Sequence, residues 1–133
     1  MLRLARFFRT NLSAGQARVR TGQSGEQLAA RFLRRKGMRI VTRNWRSGRL
    51  ELDLVCREDA VLVFVEVRTR SAAAKVPGFH SLTRAKKEAL KRARLAYLQA
   101  LRNKPAAYRF DLVEVTRASD GSHRLEHYES IDL

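Results

Sequence analysis

The sequence predicts an α/β domain whose elements run helix, three strands, helix, strand, strand, and three observations predict it. Two segments, from Thr21 and from Thr83, carry helix start or stop signals around an apolar side. Between them lie three strand candidates, 39 to 46, 49 to 57 and 61 to 69. After Pro105 come two more strand-like runs, 108 to 116 and 123 to 129.

The first helix reads from TGQSGEQLAARFLRRKG: Ser24 is the N-cap candidate, Glu26 the first-turn acid, and Gly37 the stop after Arg34, Arg35 and Lys36. At 100° per residue Leu28, Ala29, Phe32 and Leu33 share one arc, with Glu26 at its edge, near the buried side. In the second strand Leu50, Leu52, Leu54 and Cys56 alternate with Glu51, Asp53 and Val55; in the third Val61, Val63, Val65 and Val67 alternate with Leu62, Phe64, Glu66 and Arg68. A loop with Pro77 and Gly78 precedes the second helix, whose apolar side is read as Ala89, Ala93, Ala96, Tyr97 and Leu101, and which Pro105 ends. Ser119, Asp120 and Gly121 mark the turn between the last two strands. Residues 1–20 show no sustained period and are read as a flexible basic arm, leaving 21–133 as one domain.

Composition bounds the function. With 28 Lys/Arg against 13 Asp/Glu in 133 residues, the net charge is +15, and the expected partner is a polyanion. The excess is unevenly placed. Residues 1–46 carry twelve basic residues against Glu26 alone, 84–104 carry eight against Glu88, and the hairpin region 47–83 between them is balanced. No run of about 18 apolar residues is present, which excludes a transmembrane helix, and MLRLARFFRT is too interrupted by arginine for a signal peptide. Cys56, the lone cysteine, has no internal disulfide partner and points to a reducing, cytoplasmic setting; it reads as a buried strand residue.

The hairpin joining the central strands carries the chemistry. A turn centred between Asp59 and Ala60 pairs positions whose numbers sum to 119, placing Leu54 with Val65 and Leu52 with Val67 on one face. On the other face it places Val55 with Phe64, Asp53 with Glu66, and Glu51 with Arg68. Two carboxylates facing across a ladder repel unless a cation lies between them. Mg2+ accepts one or two carboxylates and completes its shell with water and phosphate oxygens, so the pair suits a phosphodiester site in a basic protein. Acids on a solvated hairpin face are also ordinary, and a register one residue longer would part the two. Val55 and Phe64 on the same face favour a partly covered site.

With Glu51, Leu52, Asp53, Leu54, Val55, then Val63, Phe64, Val65, Glu66, Val67, Arg68 and Arg70, the chain resembles the bacterial YraN-like family of predicted nucleases. The likeness extends over most of residues 25 to 116 and includes Gly25 with Glu26, Ser81 with Thr83 and Arg84, and Arg109, Phe110, Asp111. It implies a restriction-endonuclease-like core, a mixed central sheet flanked by helices in the order αβββαββ, akin to archaeal Holliday-junction resolvases. Carried over residue by residue, the resemblance implies catalytic roles for Glu26, Asp53, Glu66 and Arg68, with Mg2+ or Mn2+ on Asp53, Glu66 and the carbonyl of Val67. It also admits a homodimer, because junction-cleaving relatives pair two sites. Two positions depart from the pattern: Leu50 stands where a glycine is usual, and Arg68 where the superfamily has lysine. Arginine keeps the charge but cannot act as a base.

Three functions compete. The first is a metal-dependent endonuclease on DNA, branched DNA included, in which Glu26 orders the attacking water and Arg68 neutralises the phosphate. The second is a nucleic-acid-binding module with a vestigial site, gripping phosphates through Arg84, Lys86, Lys87, Lys91 and Arg92 and through the arm. The third is a ribosome- or membrane-surface protein using Leu2, Leu4, Phe7 and Phe8. Lys86 and Lys87 are the candidates for a charge replacing the absent lysine. Trp45 and Tyr108 read as core or rim packing, with base stacking the alternative, and His80, His123 and His127 show no metal-ligand spacing with one another.

Overall fold

The computed structural model describes residues 10–12, 24–73 and 82–133. Its elements are β1 (Thr10–Leu12), α1 (Gly25–Arg35), β2 (Arg39–Ser47), β3 (Leu50–Glu58), β4 (Val61–Ser71), α2 (Arg84–Ala100), β5 (Ala107–Arg117) and β6 (His123–Tyr128). The order αβββαββ holds over the predicted domain, and β1, drawn from the arm, adds a short outer strand against β6. The rest of the arm and the Pro77–Gly78 loop, with His80 and Ser81, lie outside the described residues.

The helix starts follow their caps. Ser24 Oγ accepts from the Gln27 N–H at 3.2 Å while Gln27 Oε1 accepts from the Ser24 N–H at 2.9 Å, a reciprocal box that closes the first turn of α1. Thr83 Oγ1 accepts from the Lys86 N–H at 3.1 Å and starts α2. That helix ends at Ala100, earlier than Pro105 suggests: Leu101 is already extended, with ψ of 135°, and Lys104 Nζ donates to the carbonyls of Leu98 and Leu101. Its buried stripe is Leu90, Ala93 and Tyr97, so Ala89, Ala96 and Leu101 flank the stripe instead of forming it.

Strand order is β1-β6-β5-β4-β3-β2, with β2 at one edge. Every neighbouring pair is antiparallel except β4 and β5, which run parallel from Val61↔Ala107 to Ser71↔Arg117 with α2 as the crossover between them. The sheet is mixed, as expected. Helix α1 covers one face, where Leu28, Phe32 and Leu33 meet Leu54, Cys56, Val63 and Val65. Helix α2 covers the other, where Leu90 and Tyr97 meet Val55, Phe64 and Phe110. The Val55–Phe64 face is therefore fully buried, not merely partly covered.

The β3–β4 register has the expected sum of 119 from Glu58↔Val61 to Leu54↔Val65. There the ladder stops, short of the three further pairs expected for Asp53, Leu52 and Glu51. Leu52 leaves the Leu54 face and packs on the α2 side with Val55 and Phe64, and Glu51 faces Arg46 of β2 at 3.8 Å instead of Arg68. Asn44, with φ of 49°, falls between the pairs Arg43↔Leu54 and Trp45↔Leu52, so the break in alternation is shared by both strands. The interruption lies at the residue that carries the site.

Candidate active site

Asp53 lies where β3 and β4 part. Its Oδ2 accepts from the Val67 N–H at 2.8 Å, so the side chain takes the place of a ladder bond. Because N–H and C=O of one strand residue point to the same edge, the Val67 carbonyl faces this gap as well. Glu66, 4% exposed on the α2 side of the sheet, reaches the same place and shares a hydrogen bond with Asp53. The two predicted carboxylates are thus brought together, through their side chains at the end of the ladder and not as a ladder pair.

Electrostatics mark the pair as costly. Burial raises the Asp53 carboxyl above its ordinary value; the Val67 N–H opposes this and the charge of Glu26 adds to it. Burial, then the charge of Asp53, pushes Glu66 up to about 7, against the opposing charges of Lys86 and Arg68. Lys86 Nζ stands 3.4 Å and Arg68 Nε 3.6 Å from Glu66 Oε1. The buried Arg68 Nε has no hydrogen-bond partner among the described residues. An acceptor oxygen at the mouth of the site would complete it.

Glu26 is placed by packing. A Cβ on Gly25 would stand 2.1 Å from Thr69 Oγ1, so only glycine lets the first turn of α1 lie this close to β4. That contact sets Glu26, half-buried, near enough for its charge to act on Asp53. Among the described residues no three of His, Cys, Asp and Glu gather closely enough to hold an ion by themselves. Asp53 and Glu66 are therefore two carboxylates that need a carbonyl and outside oxygens to complete a shell. That donor set fits Mg2+ or Mn2+ bound together with a phosphate.

The basic helix is less uniform than its sequence. Lys86 turns inward to Glu66, whereas Arg84 is exposed at the helix start and Lys91 pairs with Glu88 at 3.2 Å. Arg92 is exposed about 140° around the helix from Lys87, so the five predicted phosphate contacts do not form one stripe. Trp45 and Tyr108 are rim residues as read: Trp45 packs edge-on to Tyr97, and Tyr108 lies beneath Arg94. Cys56 is buried and its thiol is pushed up to about 12, first by burial.

Sequence reasoning missed a second buried cluster. Asp111, 0% exposed, accepts from Arg109 Nε at 3.0 Å, the Ser130 N–H at 2.9 Å and His127 Nε2 at 2.8 Å. Lys36 Nζ lies 2.6 Å from His127 Nδ1, on the ring edge opposite the Nε2 that faces Asp111. Arg109 also donates to Glu58 at 3.1 Å. Nothing in the spacing of Lys36, Asp111 and His127 signals this meeting.

Residues 25–115, most of the described fold and all of the site, match the family described as Uncharacterised protein family UPF0102. The chain belongs to the UPF0102 family. A UPF0102 protein of Nitratidesulfovibrio vulgaris strain DP4 is 47% identical over 118 residues, covering 88% of this chain and 87% of the relative. UPF0102 proteins of Symbiobacterium thermophilum and Lawsonia intracellularis are 43% and 41% identical over 105 and 110 residues; they cover 79% and 83% of this chain, and 89% and 83% of themselves. The likeness read from residues 25 to 116 is borne out as UPF0102 membership. No helix among the described residues is long and apolar enough to cross a membrane.

Proposed function

We propose that this UPF0102 chain is a Mg2+- or Mn2+-dependent endonuclease that hydrolyses phosphodiester bonds of DNA, branched DNA included, on a restriction-endonuclease-like core. The observation that carries this reading is the buried Asp53–Glu66 pair at the parting of β3 and β4, with Lys86 and Arg68 beside it. Asp53, Glu66 and the Val67 carbonyl would hold the ion, which when bound polarises the phosphate and acidifies water. Arg68 and Lys86 neutralise charge building on the phosphate, and Glu26 orders the attacking water from the first turn of α1. Lys86 supplies the point charge that lysine at position 68 would otherwise give. The setting we propose is the cytoplasm, where the buried Cys56 remains a thiol.

Branched, flapped and single-stranded DNA incubated with Mg2+ or Mn2+ provides the test. Cleavage lost in Asp53→Ala and Glu66→Ala is the expected result; no cleavage of any of the three, or cleavage that survives Asp53→Ala, overturns the reading. One observation favours a second reading, a nucleic-acid-binding module without chemistry: two cations already face Glu66. Calorimetric titration with Mg2+ separates the two. Binding that vanishes in Glu66→Ala supports the enzyme, and salt-sensitive DNA binding without metal binding supports the module.

A further inference from the structure

We infer that the outer strand β2 and its hairpin with β3 form a second phosphate-gripping surface, so that a DNA strand crosses the site between Arg43, Arg46 and Arg49 on one side and the start of α2 on the other. The inference rests on the nucleic-acid part of the reading above and not on cleavage. Strand β2 ends the sheet, and Arg43, Arg46 and Arg49 are all exposed. Their register fixes where they stand relative to the chemistry. Arg43 pairs across to Leu54 and Arg46 to Glu51, so the two arginines bracket Asp53 from the neighbouring strand. The positive φ of Asn44 interrupts β2 at that point.

Three residues apart, with Asn44 breaking the extended run between them, Arg43 and Arg46 are at most about 10 Å apart, a span of a few phosphates. The acid facing them is Glu51, 3.8 Å from Arg46, in a pair whose side chains are 75% and 52% exposed, and such a pair holds its arginine weakly. On the far side of Asp53 and Glu66 stand Lys86, reaching Glu66, and Arg84. Positive charge therefore flanks the carboxylates from two elements distant in sequence, the arrangement a polyanion crossing the site needs. Arginines on an outer strand also serve merely to block pairing with another sheet, and the test separates the two roles.

Arg43, Arg46 and Arg49 are replaced together by Gln in the full chain and compared with a control, Arg34→Gln, Arg35→Gln and Arg39→Gln. The control removes the same charge from the C-terminal end of α1 and the far end of β2. Affinity for a DNA duplex and for single-stranded DNA is measured over a range of salt, with circular dichroism confirming the fold of each variant. The expected result is that the Arg43/Arg46/Arg49 variant binds about tenfold or more weakly near 0.1 M salt, with its log–log salt slope reduced by about 2 to 3. The control should keep most of the slope. Equal losses in both variants, or unchanged affinity accompanied by self-association of the Arg43/Arg46/Arg49 variant, overturn the inference while leaving the functional reading in place. Failure of the wild-type chain to bind either DNA overturns both.

Discussion

Glu66 and Asp111 occupy adjacent steps of the parallel pair β4 and β5, Val65 facing Asp111 and Glu66 facing Leu112, yet they point to opposite faces of the sheet and live in opposite electrostatic conditions. Both are buried, at 4% and 0% exposure, so desolvation alone does not separate them. The difference lies in the partners. For Asp111, burial works to raise the carboxyl, but hydrogen bonds from His127, Arg109 and the Ser130 N–H outweigh it and hold the group below the ordinary carboxylate range. For Glu66 the nearest cations, Lys86 and Arg68, stand 3.4 and 3.6 Å away and another carboxylate shares its place. A buried acid with a full set of donors holds the fold; one left short of donors is available for chemistry.

The largest expected effect breaks the comparison directly. Asp111→Asn removes the charge that Arg109 and His127 face and should cost about 3 to 5 kcal/mol, measured by urea unfolding. Asp53→Asn should do the reverse: the amide oxygen introduced there can still accept from the Val67 N–H, and the repulsion with Glu66 is gone, so stability stays level or rises by about 1 kcal/mol. The same variant should lose binding of Mn2+ in a calorimetric titration. If Asp53→Asn is as costly as Asp111→Asn, the two acids do not differ in kind.

A smaller effect sharpens how the site is held. Gly25→Ala places a Cβ against Thr69 Oγ1 and should destabilise the chain by about 1 to 3 kcal/mol, with a matching loss of Mn2+ affinity as Glu26 is displaced. Adding Thr69→Ala removes the offending oxygen and should recover most of both losses. A double variant no better than Gly25→Ala alone would show that Gly25 is needed for its backbone freedom and not for this contact.

Local signals made much of the fold legible. Alternation and a tight turn are enough for the register from Glu58↔Val61 to Leu54↔Val65, because the two-residue turn at Asp59 and Ala60 fixes the pairing. The same alternation carried Leu52 onto the wrong face, since nothing in Leu-Glu-Leu-Asp-Leu marks where the strands part; Asn44, a residue that tolerates positive φ, was the available hint. The Asp53–Glu66 pair was legible as like charge brought together by a short hairpin. Lys86 reaches it only through the docking of α2, and Lys36 meets His127 across 91 positions, so both depend on tertiary packing. The stripe of α2 is illegible for a related reason: several alanines offer an equally small side, and packing selects Leu90.

The smallest effect is a matter of acid. Because the folded Asp111 carboxyl is held below its ordinary value of 3.8, the stability it contributes is fully present above that value and is lost as pH falls through the lowered one. Lys36, His127, Arg109, Glu58 and Glu129 surround this cluster, and Asp111→Asn keeps all five in place while removing the one carboxyl. Unfolding free energy followed from about pH 5 to about pH 2 should therefore fall more steeply for the wild type, the two curves converging at the acid end. Parallel curves would mean that Asp111 is held by shape and not by charge. The contrast with Glu66 would then rest on packing alone.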